Sequence, residues 1–290
     1  MKKVFVTSTS GINQYPEKQQ IGIIPITVFI NGKAFQDGFD LDAKKLYQEL
    51  MADKDLLPTT SQPAVGYLLD LYESLERDGY TEVVMIALSR HLSGTLNALT
   101  LAANSYEGNL KIHVVDSQSV LTSEAELAIL VDQKFIKEDK PFNEVMSFIE
   151  TFKQNQCVAF VCEDLNNLIK NGRLTGAKAF VGKLLKVKPL LALNNVGQIL
   201  SVDKARTSQK ALEALIKYAK SFINGRKFRI VYLYTNEDLL RRVIQVVKKE
   251  LGWQGDLTIL GSPVVGGHVG PYCGGIGIYI EEWLSGFRNY

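Results

Sequence analysis

Ser93, Gly94 and Thr95 stand where an apolar strand pattern gives way to a helical pattern. Residues 81–88 form an apolar run of strand length, and apolar side chains recur at helical spacing from Ser93 onward. Ser93 therefore takes the position of a helix N-cap, and Gly94 allows close approach of the backbone. Free amides and two hydroxyls at such a helix start predict an anion-binding site.

A second hydroxyl-rich segment, residues 59–63, precedes a helical pattern that starts at Ala64. Pro63 fits the first position of a helix, and Thr60 and Ser61 fit as cap and turn formers. By itself this pattern predicts only a well-capped helix. Because strand ends and helix N-termini gather at one edge of a parallel sheet, the two segments together predict a shared anion site.

His268 and Arg173 are the other candidates for binding or catalysis. His268 lies in the glycine-rich residues 266–271, which predict a turn that brings an imidazole to a ligand or an ordinary structural histidine. Arg173 could face a carboxylate or phosphate, or could pin a loop between two domains. Ser93 with His268 could also serve a hydrolase or transferase, although no Gly-x-Ser-x-Gly motif surrounds Ser93. With neither a Walker A motif nor the ligand spacing of a metal site, we expect no cofactor and no metal.

Strand and helix patterns alternate along residues 1–155. This alternation predicts an α/β domain with a parallel sheet and helices on both faces. Within it, residues 21–30 are predicted to form one strand, followed by a hairpin turn at Asn31 and Gly32.

Residues 156–290 show a different pattern, which predicts an α+β domain with a mixed sheet. Strands are predicted at residues 189–193 and 198–202, joined by a hairpin signal, and a helix is predicted at residues 177–185. The boundary near residue 155 rests on this change of pattern.

Composition excludes several classes of protein. The chain has 290 residues, a net charge of +2 and 46% apolar residues, with no basic stripe, so nucleic acid is not an expected partner. No apolar run approaches the length of a membrane-spanning helix, and the start of the chain does not resemble a signal peptide. The odd count of three cysteines argues against a disulfide framework, and Cys157 and Cys162 are expected to be buried on opposite faces of one strand. A reducing cytoplasm is therefore the expected location.

Several short motifs follow one another in an order and spacing that resemble the DegV family of bacterial fatty-acid-binding proteins. The resemblance runs nearly end to end. It is carried by Ile24–Pro25, Thr60–Pro63, Leu92–Thr95, Val115–Ser117, Asn171–Arg173, Lys186–Pro189 and His268–Pro271.

The resemblance implies two domains of α/β type that hold a long-chain fatty acid in an apolar tunnel between them. It implies that the carboxylate contacts Thr60 and Ser93, with His268 nearby and Arg173 at the mouth. The predicted ligand-binding residues are Thr60, Ser61, Ser93, Gly94, Thr95, Arg173 and His268. The protein would be a carrier that presents the acid to a separate fatty acid kinase, which uses ATP to form an acyl phosphate for phospholipid synthesis.

Three segments depart from the family pattern. Residues 7–10 lack the aspartate that the family has there, and Arg90, followed by His91, replaces a serine. We expect Arg90 and His91 to add positive charge near the carboxylate. Tyr272 stands in place of a glycine, so the loop after His268 is expected to differ. A regulatory protein that senses lipid and binds another protein is a third hypothesis.

Overall fold

The computed structural model describes residues 1–16, 20–176 and 187–281. Within these ranges the strands are β1 (Lys2–Thr7), β2 (Gly22–Ile24), β3 (Thr27–Ile30), β4 (Lys33–Gln36), β5 (Thr59–Ser61), β6 (Glu82–Ala87), β7 (Lys111–Asp116), β8 (Gln156–Cys162), β9 (Lys188–Leu193), β10 (Ile199–Ala205), β11 (Phe228–Tyr234), β12 (Thr258–Leu260) and β13 (Cys273–Ile280). The α-helices there are α1 (Ala43–Ala52), α2 (Val65–Arg77), α3 (Thr95–Ser105), α4 (Thr122–Val131), α5 (Phe142–Gln154), α6 (Asn166–Lys170), α7 (Ser208–Ile223), α8 (Glu237–Leu251) and α9 (Pro263–Val269).

A four-stranded parallel sheet forms the core of the first half, with the strand order β2-β1-β6-β7. Alternate residues of β1 point to opposite faces. Val4 and Val6 pack with α4 and α5, whereas Phe5 packs with α2 and α3. The predicted parallel sheet with helices on both faces is confirmed.

A six-stranded mixed sheet forms the second half, with the strand order β10-β9-β8-β13-β11-β12. Its pairs are antiparallel except for β11 and β12. Helices α7 and α8 cover one face. On the other face, residues such as Phe160 and Leu191 join a core cluster that also holds Ile26, Leu46 and Leu88 from the first half. The predicted mixed sheet is confirmed, and the boundary near residue 155 stays a prediction.

The prediction of one strand over residues 21–30 is wrong. Pro25, which has no amide hydrogen to donate, separates β2 in the parallel sheet from β3 in a small antiparallel sheet, β4-β3-β5. The predicted hairpin turn between β3 and β4 is confirmed, because Asn31 and Gly32 both have positive φ, at 49° and 78°. The small sheet matters for the site because β5 carries Thr60.

The glycine-rich turn expected at residues 266–271 is also wrong, since most of it belongs to helix α9. Pro263 is its first residue, and the chain leaves it at Gly270, whose φ is +83°. The helix predicted at residues 177–185 lies outside the described residues. Within the described residues no helix has the length and apolar character to cross a membrane.

Cys162 and Cys273 form a disulfide bond, which contradicts the expectation drawn from the odd cysteine count. The two residues face each other directly in the β8–β13 pair, with their Cα atoms 4.3 Å apart. They are 111 residues apart in the chain, so sequence spacing could not reveal the pair. Cys157 is free and buried as expected, and burial raises the pKa of its thiol to about 11.

We expect the disulfide to stabilise the fold by restricting the unfolded chain. For a closed loop of about 100 residues, the chain-entropy model gives roughly 4–5 kcal/mol as an upper value. Reductant should therefore lower the melting temperature of the wild type and leave that of a Cys162→Ala/Cys273→Ala variant unchanged. Thiol titration of the denatured, unreduced protein should find one free thiol, that of Cys157; three would contradict the pairing.

Candidate functional site

One cavity lies where the two halves meet, and residues of both halves line it. Its empty volume is about 490 Å³, including the part open to solvent. The aliphatic lining residues are Ile26, Leu88, Leu92, Val120, Leu168, Ile199, Val264, Val265 and Val269. The polar lining residues are Thr9, Thr60, Ser93, Arg173 and His268. The cavity therefore suits a largely apolar ligand that carries a polar group.

Thr60 and His268 meet in the wall of this cavity. Thr60 lies on β5 and His268 on α9, and Thr60 Oγ1 is 2.9 Å from His268 Nε2. Burial, together with the nearby Arg173 guanidinium, lowers the pKa of His268 to about 4. The imidazole is therefore neutral at physiological pH.

The neutral His268 leaves one hydrogen-bond donor free in either tautomer. If Nε2 carries the proton and donates to Thr60, the Thr60 hydroxyl hydrogen is free. If Thr60 donates to Nε2 instead, the free donor is Nδ1, which is buried and has no partner among the described residues. The pair therefore keeps one unused donor, and both of its residues line the cavity.

Ser93 lies at the start of α3, one residue before the N-cap, which is Gly94. The predicted N-cap is therefore displaced by one residue. Ser93 Oγ accepts a hydrogen bond from the Thr95 amide at 3.2 Å and lies 2.8 Å from Thr95 Oγ1. A side chain on Gly94 would collide with Gln62, which shows that the two hydroxyl-rich segments are in contact.

Pro63 does not begin α2 as predicted. That helix starts at Val65, its N-cap is Ala64, and no side chain caps it. Thr59–Ser61 form strand β5 instead of a helix cap. The segment reaches the cavity because β5 pairs with β3 of the small sheet.

Arg173 is the one cationic side chain among the described residues that line the cavity. Its Nε donates to the Leu92 carbonyl at 3.3 Å, and its Nη1 donates to the Asn171 carbonyl at 2.5 Å. The alternative that Arg173 pins a loop is met, because it reaches Leu92 of the other half, whereas its contact with a carboxylate or phosphate stays a prediction. No described protein group accepts from its Nη2.

Ser61, Gly94 and Thr95 lie outside the cavity lining. Ser61 is exposed, and its hydroxyl donates to the Gln62 carbonyl at 3.0 Å. Thr95 is fully buried behind Ser93. Contacts of the seven candidate residues with a ligand stay predictions.

Residues 1–281 match the family model described as an uncharacterised protein of the DegV family. The chain belongs to the DegV family. A DegV domain-containing protein of Staphylococcus aureus (strain N315) is 32% identical to it over 283 residues, which cover 95% of each chain.

Solved structures of DegV proteins have the same fold. The fatty acid binding DegV family protein of Streptococcus agalactiae aligns with a TM-score of 0.86 and 26% identity, over 97% of this chain and 99% of that one. A stearic acid-binding protein of Eubacterium ventriosum aligns with a TM-score of 0.83 and 25% identity, also over 97% and 99% of the two chains. The resemblance inferred from the motifs is confirmed.

Arg90 and His91 depart from the DegV pattern and were expected to add positive charge near the carboxylate. Neither residue lines the cavity. Arg90 is 59% exposed, and its Nε lies 2.6 Å from Asp116 Oδ2 in an ion pair. His91 is exposed as well. Tyr272 has no positive φ, because the left-handed turn falls at Gly270.

Two buried carboxyl groups lie near the loop that lacks the DegV aspartate, and the sequence did not point to either. Thr9 and Thr7 donate hydrogen bonds to Glu124 on α4, with 2.8 Å between Thr9 Oγ1 and Glu124 Oε2. Asp37 accepts from Ser262 Oγ at 2.9 Å. Burial raises the pKa of Glu124 to about 8 and that of Asp37 to about 6.

One signal could have revealed Glu124. Every residue of α4 is buried, and its sequence lacks the polar face of a surface helix. A glutamate in such a helix must be neutral or paired, because an unpaired buried charge is costly. Glu124 is therefore a buried acid that supports Thr9 in the cavity wall.

The arrangement does not favour a serine nucleophile. The hydrogen bonds of Ser93 Oγ are made with Thr95, and the partner of His268 is Thr60. A nucleophilic serine needs a base within hydrogen-bonding reach.

We expect Glu124→Gln to change the pH dependence of stability. Between pH 4.5 and about 8 the unfolded chain has lost the Glu124 proton and the folded protein keeps it, since its folded pKa is raised from 4.5 to about 8. Wild-type stability therefore falls as pH rises through this window. The difference between the unfolding free energies of the variant and the wild type should therefore shift by about 4 kcal/mol in favour of the variant between pH 5 and pH 8.5.

Urea unfolding at the two pH values measures this gain. Glu107→Gln, at an exposed glutamate, serves as the control and should show no such gain. A difference between wild type and Glu124→Gln that stays constant with pH would show that Glu124 is ionised in the folded protein.

Proposed function

We propose that this protein binds a long-chain fatty acid in the cavity between its halves. The observation that carries the proposal is an aliphatic cavity with hydroxyl, imidazole and guanidinium groups in its wall. The Streptococcus agalactiae structure, described as fatty acid binding, and the Eubacterium ventriosum structure, described as stearic acid-binding, support the same ligand class.

In this proposal the carboxylate lies among Thr60, Ser93, His268 and Arg173. A carboxylate is an acceptor only, so it needs donors and a compensating positive charge. The Thr60–His268 pair supplies one donor, and Arg173 supplies the charge. The Ser93 hydroxyl is a further donor when it is not engaged with Thr95.

The acyl tail occupies the aliphatic part of the cavity and supplies most of the affinity. Burying each methylene contributes about 0.8 kcal/mol. The polar groups then need only to compensate the desolvation of the carboxylate.

We further propose that the protein is a carrier and not itself an enzyme. A separate fatty acid kinase would bind it and transfer phosphate from ATP to the held carboxylate, giving an acyl phosphate for phospholipid synthesis. This role needs no cofactor on the carrier and places it in the cytoplasm with ATP, which is an uncommon setting for a disulfide such as Cys162–Cys273. Phosphate transfer to the bound acid by a purified fatty acid kinase tests it; a stable partner other than a kinase in pull-downs would favour a regulatory role instead.

Delipidated protein should take up about one fatty acid per chain, with an affinity that depends on tail length. Each added methylene should strengthen binding about fourfold until the tail fills the cavity, since it contributes about 0.8 kcal/mol. Calorimetric titration with laurate, myristate and palmitate measures the series, and native mass spectrometry gives the stoichiometry. Absence of uptake, or equal affinity along the series, would exclude the proposed ligand.

Ser93→Ala and Thr60→Val should each weaken fatty acid binding by about 1–3 kcal/mol, the cost of removing a partner from a buried charged group. Ser61→Ala is the matched control, because Ser61 is exposed and lies outside the cavity lining. Competition with a fluorescent fatty acid measures the palmitate affinity of the wild type, the two variants and the control. Wild-type affinity in Ser93→Ala would remove Ser93 from the site.

A further inference from the structure

The C-terminal end of helix α9 leaves one carbonyl without its usual helical donor. In an α-helix each carbonyl accepts from the amide four residues later. The Gly266 carbonyl does so, from Gly270 at 2.8 Å. The residue four positions after Gly267 is Pro271, which has no amide hydrogen. The buried Gly267 carbonyl therefore needs a donor from elsewhere.

Two asparagines provide that donor. Asn167 Nδ2 lies 3.1 Å from the Gly267 oxygen, and Asn171 Nδ2 lies 3.3 Å from it. Asn167 is in α6 and Asn171 is its C-cap, four residues later, so both side chains lie on one face of the helix. Both side-chain amides thus converge on the carbonyl of the residue directly before His268.

The same asparagine turn also holds Arg173. The carbonyl of Asn171 accepts from Arg173 Nη1 at 2.5 Å, and Arg173 Nε reaches the Leu92 carbonyl at 3.3 Å. Leu92 directly precedes Ser93. The side chain of Asn171 therefore contacts the end of helix α9, which carries His268. The main-chain carbonyl of Asn171 contacts Arg173.

We propose that Asn167 and Asn171 are positioning residues that hold His268 at Thr60 and at a fixed place relative to Arg173. The inference rests on the proposed function for its ligand, and its geometry rests on the hydrogen bonds of Asn167, Asn171 and Arg173. A site whose donors are already in place loses less entropy when a ligand binds. Removing the two amides should therefore weaken binding of the carboxylate in particular.

The test uses Asn167→Leu and Asn171→Leu, singly and together, because leucine keeps the approximate volume and removes the donor. Asn166→Ala is the matched control: Asn166 is on the same helix, exposed, and bonded to Asp164. Since two donors share one acceptor, each single change should weaken palmitate binding by less than about threefold and the double change by tenfold or more. Binding of hexadecanol, which has the tail without the carboxylate, should change by less than about twofold.

A second measurement works on the ligand-free protein. Titration of the His268 ring signals by NMR, assigned with His268→Gln, should show the pKa of His268 rising toward its ordinary value in the double variant and by a smaller amount in Asn171→Leu. The control should leave it unchanged. This measurement remains possible if the double variant fails to fold, because the single variant also reports.

The outcomes separate the two proposals. Equal losses for palmitate and hexadecanol, or an unmoved His268 titration, would overturn the positioning role. If the wild type binds no palmitate, the proposed function fails, while the NMR titration still decides whether the asparagines position His268.

Discussion

Burial of the carboxyl edge of the parallel sheet is the constraint on which the rest of the structure depends. The segments that follow β1 and β6 lie against the second half, and they are rich in hydroxyl groups. A buried polar group without a partner costs roughly 1–3 kcal/mol, so each must be bonded. Ser89 Oγ donates to the Gly197 carbonyl at 2.8 Å, and the Gln14 side chain bonds both the amide and the carbonyl of Leu260, at 2.9 and 2.8 Å. These bonds join the halves and cover part of edge strand β12.

The same constraint produces the site. Most polar groups at this edge satisfy one another, as Thr9 and Glu124 do. Among the described residues that line the cavity, His268 has a buried Nδ1 without a partner, and Arg173 keeps donor capacity. Donors that remain unused in a partly buried, mostly aliphatic cavity are consistent with the proposed amphipathic ligand. The neutral imidazole and the single guanidinium together favour one negative charge.

Local sequence patterns predicted the regular elements well. The strands predicted at residues 189–193 and 198–202 overlap β9 and β10, which pair as a hairpin, because neighbouring side chains along the chain decide which face is buried. Helix α9 escaped prediction, since glycine is a poor helix former. Its surroundings make it helical: Pro263 starts it, Asp37 accepts from the Val264 amide at 3.4 Å, and its residues are almost all buried.

The sequence by itself determined the alternation of strands and helices and the order of the hydroxyl, arginine and histidine motifs that mark the family. Tertiary structure alone decided which of these residues touch. Thr60 and His268 are 208 positions apart, and Cys162 and Cys273 are 111 apart. Such pairs depend on strand register and on how whole elements pack, which no local window of sequence contains. Tertiary structure also fixed the neutral state of His268, because its pKa is lowered chiefly by burial and burial is a property of the assembled fold.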